Sequence, residues 1–266
     1  MSDKAFDRAA ELFLDKVVAE EYFSTRSSER ARRILDRLIQ ENQTPLIFLL
    51  GEPGSGKTQM VKLLEKELPQ KGRVPILFDD PFCDRSALLQ KLAQKVGIET
   101  DANDERLKQR LCRVYGEYPH LIIFDEAQLL TFEVLEFIRI LSDTGEFRFL
   151  LAMHRKEGEA ILAKPHFRSR PHRVVETGML DEEEILHYLQ LKFREAGLHE
   201  LIDLMDRHQI KKLHRLSRGN FRMTKRLLHA AFSLMHEAQK RNMQRYARPC
   251  DTIWCMAAIQ TGAEDA

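Results

Sequence analysis

Residues 46–58 read Leu46-Ile47-Phe48-Leu49-Leu50-Gly51-Glu52-Pro53-Gly54-Ser55-Gly56-Lys57-Thr58. Five consecutive apolar residues followed by glycine fit a strand buried on both faces, as in a parallel sheet. The octet Gly51–Thr58 fits G-x-x-x-x-G-K-[ST]. Its glycines let the backbone turn tightly, so that several N–H groups converge on one point. Lys57 adds a full positive charge there, and Thr58 adds a hydroxyl. A helix predicted from Thr58 to about Leu68 contributes the partial positive charge of its N-terminus. Strand, loop and helix in this order make a cradle for phosphates, with Lys57 on the β- and γ-phosphates and the Thr58 hydroxyl on Mg2+. The expected nucleotide-binding residues are Gly51, Glu52, Pro53, Gly54, Ser55, Gly56, Lys57 and Thr58, with Gln59 next in the helix.

Outward from this loop, a second apolar run ends in two acids: Leu121-Ile122-Ile123-Phe124-Asp125-Glu126. A buried strand delivers them at its carboxyl end, where open α/β sheets bind ligands. Asp125 is expected to hold Mg2+, directly or through water. Glu126 reaches one residue further, toward the water that attacks the γ-phosphate, and is the candidate general base. Gln128 either senses phosphate or a neighbour, or is a polar surface residue. His154 follows another apolar run, Phe147–Met153, at a point beside the acidic pair. It either touches the γ-phosphate or water, or is a loop histidine with its own partners. Arg168 and Arg170 lie between that run and the C-terminal helices. Either can reach the ATP of an adjacent subunit as an arginine finger; the alternative is a solvated basic loop. Arg222, at the start of a later helix, can fold back on the phosphates. The strip Lys211-Lys212, Arg215, Arg218, Arg222 and Lys225-Arg226 is a solvated helix face or a contact for a phosphate backbone.

Strand signals at 46–50, 75–78, 121–124, 147–153 and, weakly, 173–176 alternate with helical patterns at 58–68, 84–97, 103–115 and 131–142. That alternation predicts an α/β fold with a parallel sheet core. After Leu180 only helices are signalled, at 181–196, about 200–217 and 220–241, which predicts an all-helical C-terminal lid. Two amphipathic helices precede the first strand, over 3–21 and from about Ser28. The expected organisation is N-terminal helices over 1–43, a nucleotide-binding domain over 44–180, a helical lid over 181–245 and a tail over 246–266.

The chain carries 42 Lys and Arg against 41 Asp and Glu, so it has no bulk basic field of the kind that coats nucleic acid. Its four cysteines form no zinc or redox spacing, and no histidine pair has metal-ligand spacing. No apolar run reaches the roughly 18–20 residues that cross a bilayer. Without a signal-peptide pattern at Met1, the expected location is the cytoplasm.

These motifs together resemble the ExeA/GspA group of AAA+ ATPases, which is related to the TniB, TnsC and MuB transposition ATPases. The resemblance runs from about Tyr22 to Leu234. Its carriers are the Walker A octet, Asp125-Glu126-Ala127-Gln128, Ala152-Met153-His154, and Arg170 with the lead into Met179-Leu180. In the lid they are Tyr188…Phe193-Arg194-Glu195-Ala196-Gly197 and Ser217-x-Gly219-x-x-Arg222. The resemblance implies a P-loop NTPase of the AAA+ type that binds ATP and Mg2+. It implies a homo-oligomer, ring or filament, with ATP at subunit interfaces. It assigns Arg170 to the finger position, His154 to sensor 1 and Arg222 to sensor 2, and puts adenine near Tyr22-Phe23. Sensor 1 is usually Gln in this group, and Phe221 stands where the sensor 2 motif has proline. The secretion-type members add a membrane span and a peptidoglycan-binding domain, for which this sequence has no signal. Two partner classes follow from the resemblance: a protein machinery of the secretion or pilus type, or DNA in transposition or replication.

Overall fold

Five strands form one parallel sheet: β1 (Leu46–Gly51), β2 (Val74–Phe78), β3 (His120–Phe124), β4 (Phe149–His154) and β5 (Arg173–Glu176), in the order β2-β3-β4-β1-β5. The computed structural model describes residues 5–14, 22–78, 84–117 and 120–263. Every residue of β1 and β3 is buried, as their unbroken apolar runs require. Successive side chains point to opposite faces, so each run feeds two cores. Leu46, Phe48 and Leu50 join Ile122 and Phe124 on one face. Ile47 and Leu49 join Leu121 and Ile123 on the other. The weak fifth signal is an edge strand, with only Val175 buried.

Helices cover both faces. On the second face lie α2 (Arg26–Glu41), through Ala31, Leu35 and Ile39, and α3 (Lys57–Glu67), through Met60, Val61 and Leu64. The first helix of the chain, α1 (Ala5–Leu12), lies elsewhere, as described below. On the first face are α4 (Arg85–Lys95), α5 (Asp104–Glu117) and α6 (Phe132–Asp143). Helix α2 starts earlier than its periodicity predicts. Thr25 caps it, in a reciprocal pair with Ser28, so that two backbone N–H groups are satisfied.

Two short helices without a clear periodic signal, α7 (Arg155–Leu162) and α8 (Pro165–Arg168), connect β4 to β5. Gly158 lets α7 press against β1: a Cβ there would stand 2.4 Å from Leu50 Cδ2. Phe167 is buried against Phe48 and anchors α8.

The chain divides into two compact units. The sheet and its helices form one. The other holds α1, α9 (Glu182–Glu195), α10 (Arg207–Ser217), α11 (Phe221–Lys240) and α12 (Asp251–Thr261), and also takes in Pro53–Ser55. The N-terminal segment 1–43 is therefore shared: α1 goes with the helical unit and α2 with the sheet. Phe6 and Phe13 of the N-terminal segment pack on Phe232 of α11. Residues 15–21, where the first predicted helix was to continue, lie outside the described residues.

The segment expected as a tail contains α12. Its Ile253, Trp254, Ala257 and Ala258 are buried, and Trp254 Nε1 donates to Gln209 Oε1 at 2.7 Å. Removing a buried indole leaves a cavity and an unpaired amide. Trp254→Ala is expected to cost about 3–5 kcal/mol of unfolding free energy, read by urea denaturation. A loss below about 1 kcal/mol would mean that α12 does not belong to the cooperative core. Among the described residues no helix is long and apolar enough to cross a membrane.

Candidate nucleotide-binding site

The loop after β1 turns through Gly54 (φ +76°) and Gly56 (φ +89°), both in the left-handed region that favours glycine. Gly56 caps α3, so Lys57 opens the helix, with Thr58 and Gln59 in its first turn. Lys57 is only 5% exposed. Its Nζ donates to the carbonyls of Gly51 (2.9 Å) and Glu52 (3.0 Å). A buried ammonium needs such partners. Two neutral carbonyls hold it at the mouth of the loop, where an anionic phosphate oxygen is a stronger acceptor. The Glu52 carboxylate stands 4.0 Å from Arg155 Nε.

Asp125 and Thr58 come together across the sheet. The Thr58 hydroxyl donates to the Asp125 carboxylate, and the Glu126 N–H donates to Asp125 Oδ1 at 3.0 Å. Burial pushes the Asp125 carboxyl up from its ordinary range. The Thr58 hydroxyl, the Glu126 N–H and the Lys57 charge pull it down again, but burial prevails. A partly desolvated carboxylate beside a hydroxyl is a fitting pair of hard oxygen ligands for Mg2+, which takes few protein ligands and completes its shell with water and phosphate. No group of three or more His, Cys, Asp or Glu side chains fit to hold a metal occurs among the described residues.

Glu126 adopts φ +51°, ψ +38°, a left-handed conformation that costs a non-glycine residue about 1–3 kcal/mol. Through one amide, Gln128 ties Glu126 to the end of β4. Its Nε2 donates to Glu126 Oε2, and its Oε1 accepts the His154 N–H at 3.3 Å. His154 Nε2 is 3.7 Å from the same Glu126 oxygen, and His154 Nδ1 is 3.9 Å from Glu157. The strand order explains the meeting: β4 lies between β1 and β3, and His154 is in register with Gly51. Within the chain, Gln128 contacts the Glu126 carboxylate and the His154 backbone.

Arg170 is exposed and pairs with Asp143 at 3.4 Å. It precedes β5 by three residues, at the amino ends of the parallel strands, whereas the phosphate loop, Asp125 and His154 lie at the carboxyl ends. Arg173 is in register with Ile47, and Ile47 to Gly51 is about 13 Å at about 3.3 Å per residue. The structure does not bring Arg170 to its own chain's loop. Arg168 ends α8 and is also exposed. Arg222 is the second residue of α11. Its Cβ lies 3.1 Å from where a Cβ on Gly54 would stand. Asn220, which the motif reading passed over, caps α11 by accepting the Met223 N–H and donates Nδ2 to the Pro53 carbonyl. Its signal was an N-cap residue type directly before a helix. Tyr22 and Phe23, expected near adenine, lead into the Thr25 cap of α2, and Phe23 is buried.

Residues 39–162 match the family model described as AAA domain. Solved structures extend that likeness over nearly the whole chain. Cdc6p from Pyrobaculum aerophilum is 17% identical, with a TM-score of 0.57 over 88% of this chain and 66% of that one. The ORC1 protein of Aeropyrum pernix, solved in complex with DNA, is 16% identical, with a TM-score of 0.62 over 95% of this chain and 69% of that one.

The fold is AAA+.

A third AAA+ likeness is the RuvB Holliday junction branch migration motor of Thermotoga maritima, 15% identical, with a TM-score of 0.52 over 92% of this chain and 72% of that one. The chain thus spans about two thirds to seven tenths of the length of these structures. No curated protein matches it by sequence.

Proposed function

We propose that this chain is a Mg2+-dependent ATPase that works between copies of itself, Arg170 of one copy completing the site of the next. One constellation supports the reading: Thr58, Asp125, Glu126, Gln128 and His154 meet at the carboxyl ends of three neighbouring strands, beside a buried lysine in a phosphate loop. Lys57 exchanges its two carbonyls for the β- and γ-phosphate oxygens. Asp125 and Thr58 would hold Mg2+, which would neutralise charge on those phosphates. Glu126 orients the attacking water and accepts its proton. Gln128 keeps the Glu126 carboxylate aimed, and His154 stands beside it as the sensor of the γ-phosphate. Arg222 serves as the second sensor.

By its resemblance to the ExeA/GspA group, the client of this ATPase is a protein machinery of the secretion or pilus type. A DNA-associated ATPase of the transposition or replication type is the second reading. It is favoured by the ORC1 and RuvB likenesses and by a concentration of basic residues in the helical unit.

The test is ATP hydrolysis against protein concentration, with and without duplex DNA. Turnover per chain is expected to rise cooperatively with concentration. Stimulation by DNA selects the second reading. Flat turnover per chain would refute the shared site.

A further inference from the structure

Charge in the second half of the chain is sharply segregated. Between Asp181 and Asp206 there are eight acids and two bases; between Arg207 and Cys250 there are twelve Lys and Arg and one acid, Glu237. The helical unit decides which of these bases can meet a partner. Lys225 is buried. Arg226 donates to the Thr261 carbonyl, and Lys212 pairs with Asp251. Arg222 lies against Gly54. Exposed on α10 remain Arg207, Lys211 and Arg215. At 3.6 residues per turn they fall within about 80° of arc, in a row about 12 Å long.

Of the nearby acids, Asp206 accepts the Gln209 N–H at 2.9 Å, and Asp251 pairs with Lys212 and also feels the Arg215 charge. Among the described residues no carboxylate stands within ion-pair distance of Arg207, Lys211 or Arg215. Like charges one turn apart destabilise a helix, and the Asp251 charge near Arg215 offsets only one end of the row. We propose that this face of α10 is a track for the sugar–phosphate backbone of duplex nucleic acid.

The alternatives fit less well. A helix that binds a membrane surface inserts an apolar face, but Ile210, Leu213 and Leu216 are buried inside the unit. An acidic protein partner would need an apolar or aromatic anchor at the centre of its contact, and the row has none. A rigid line of guanidinium and ammonium groups suits a regular line of phosphates.

The proposal deepens the DNA-associated reading, and one titration separates them. The affinity of the full chain for duplex DNA is measured at several salt concentrations, beside Lys211→Gln/Arg215→Gln and a control, Lys91→Gln/Lys156→Gln, that removes equal charge from the sheet unit. Three phosphate contacts predict a slope of log affinity on log salt near about −2.7, falling to about −0.9 in the α10 variant, with at least about tenfold weaker binding near 100 mM salt. The control variant should keep the wild-type slope. If wild type binds steeply and the α10 variant binds equally well, the DNA-associated reading stands and the track falls. If wild type binds no DNA, both fall. If the α10 variant instead loses binding to vesicles of anionic lipid, and DNA binding is absent, the face is a membrane contact and the proposal is overturned.

Discussion

Glu126→Gln is expected to lower ATP turnover by about 10²–10⁴-fold while leaving ATP binding close to wild type. The substitution removes the proton acceptor and little else. A glutamine carbonyl can still accept the Gln128 Nε2 donor that now holds the carboxylate, and the left-handed backbone at 126 is no worse for Gln than for Glu. The measurement is single-turnover hydrolysis beside equilibrium binding of ATP. A variant that binds ATP but does not turn it over is the expected result. Unchanged hydrolysis would remove Glu126 as the base and leave its strained backbone without a catalytic explanation.

The second large effect is expected at Arg170. In the free chain its guanidinium is exposed and paired with Asp143, an arrangement worth at most about 1 kcal/mol at a surface. It can therefore leave Asp143 for a stronger anion. It starts from the amino ends of the strands, away from its own phosphate loop at their carboxyl ends, which is why we assign it to a neighbour's site. Arg170→Ala is expected to reduce turnover of the assembled protein by about 10³-fold or more. Mixing Arg170→Ala with Glu126→Gln should restore part of the activity, because some interfaces then combine an intact base with an intact finger. A loss of threefold or less, or no recovery on mixing, would reject Arg170 as a finger supplied in trans. A large loss in Arg168→Ala would then transfer the role to Arg168.

The residues of the candidate chemistry were readable in the sequence because their signals are local. Gly51–Thr58 carries its own turn, charge and helix start within eight residues, and Asp125-Glu126 closes an apolar run too continuous to be an exposed strand. Alternating strand and helix patterns implied a parallel sheet, since parallel neighbours need long crossovers. Caps such as Asn220 could have been read in the same way, from one residue type before a helix.

What tertiary structure alone decided was which distant residues meet. No periodicity tells that β4 lies between β1 and β3, yet that order sets His154 beside Gly51 and lets one Gln128 amide hold both the His154 backbone and Glu126. Nor does it tell that α1 packs on α11, or that Gly158 exists to admit Leu50. The same holds for the basic strip, where Lys225 is buried and Arg215, ten residues earlier, is exposed. Local pattern records the conformation a segment prefers. Partnership depends on burial and packing between segments far apart in the chain, and no single stretch of sequence encodes that.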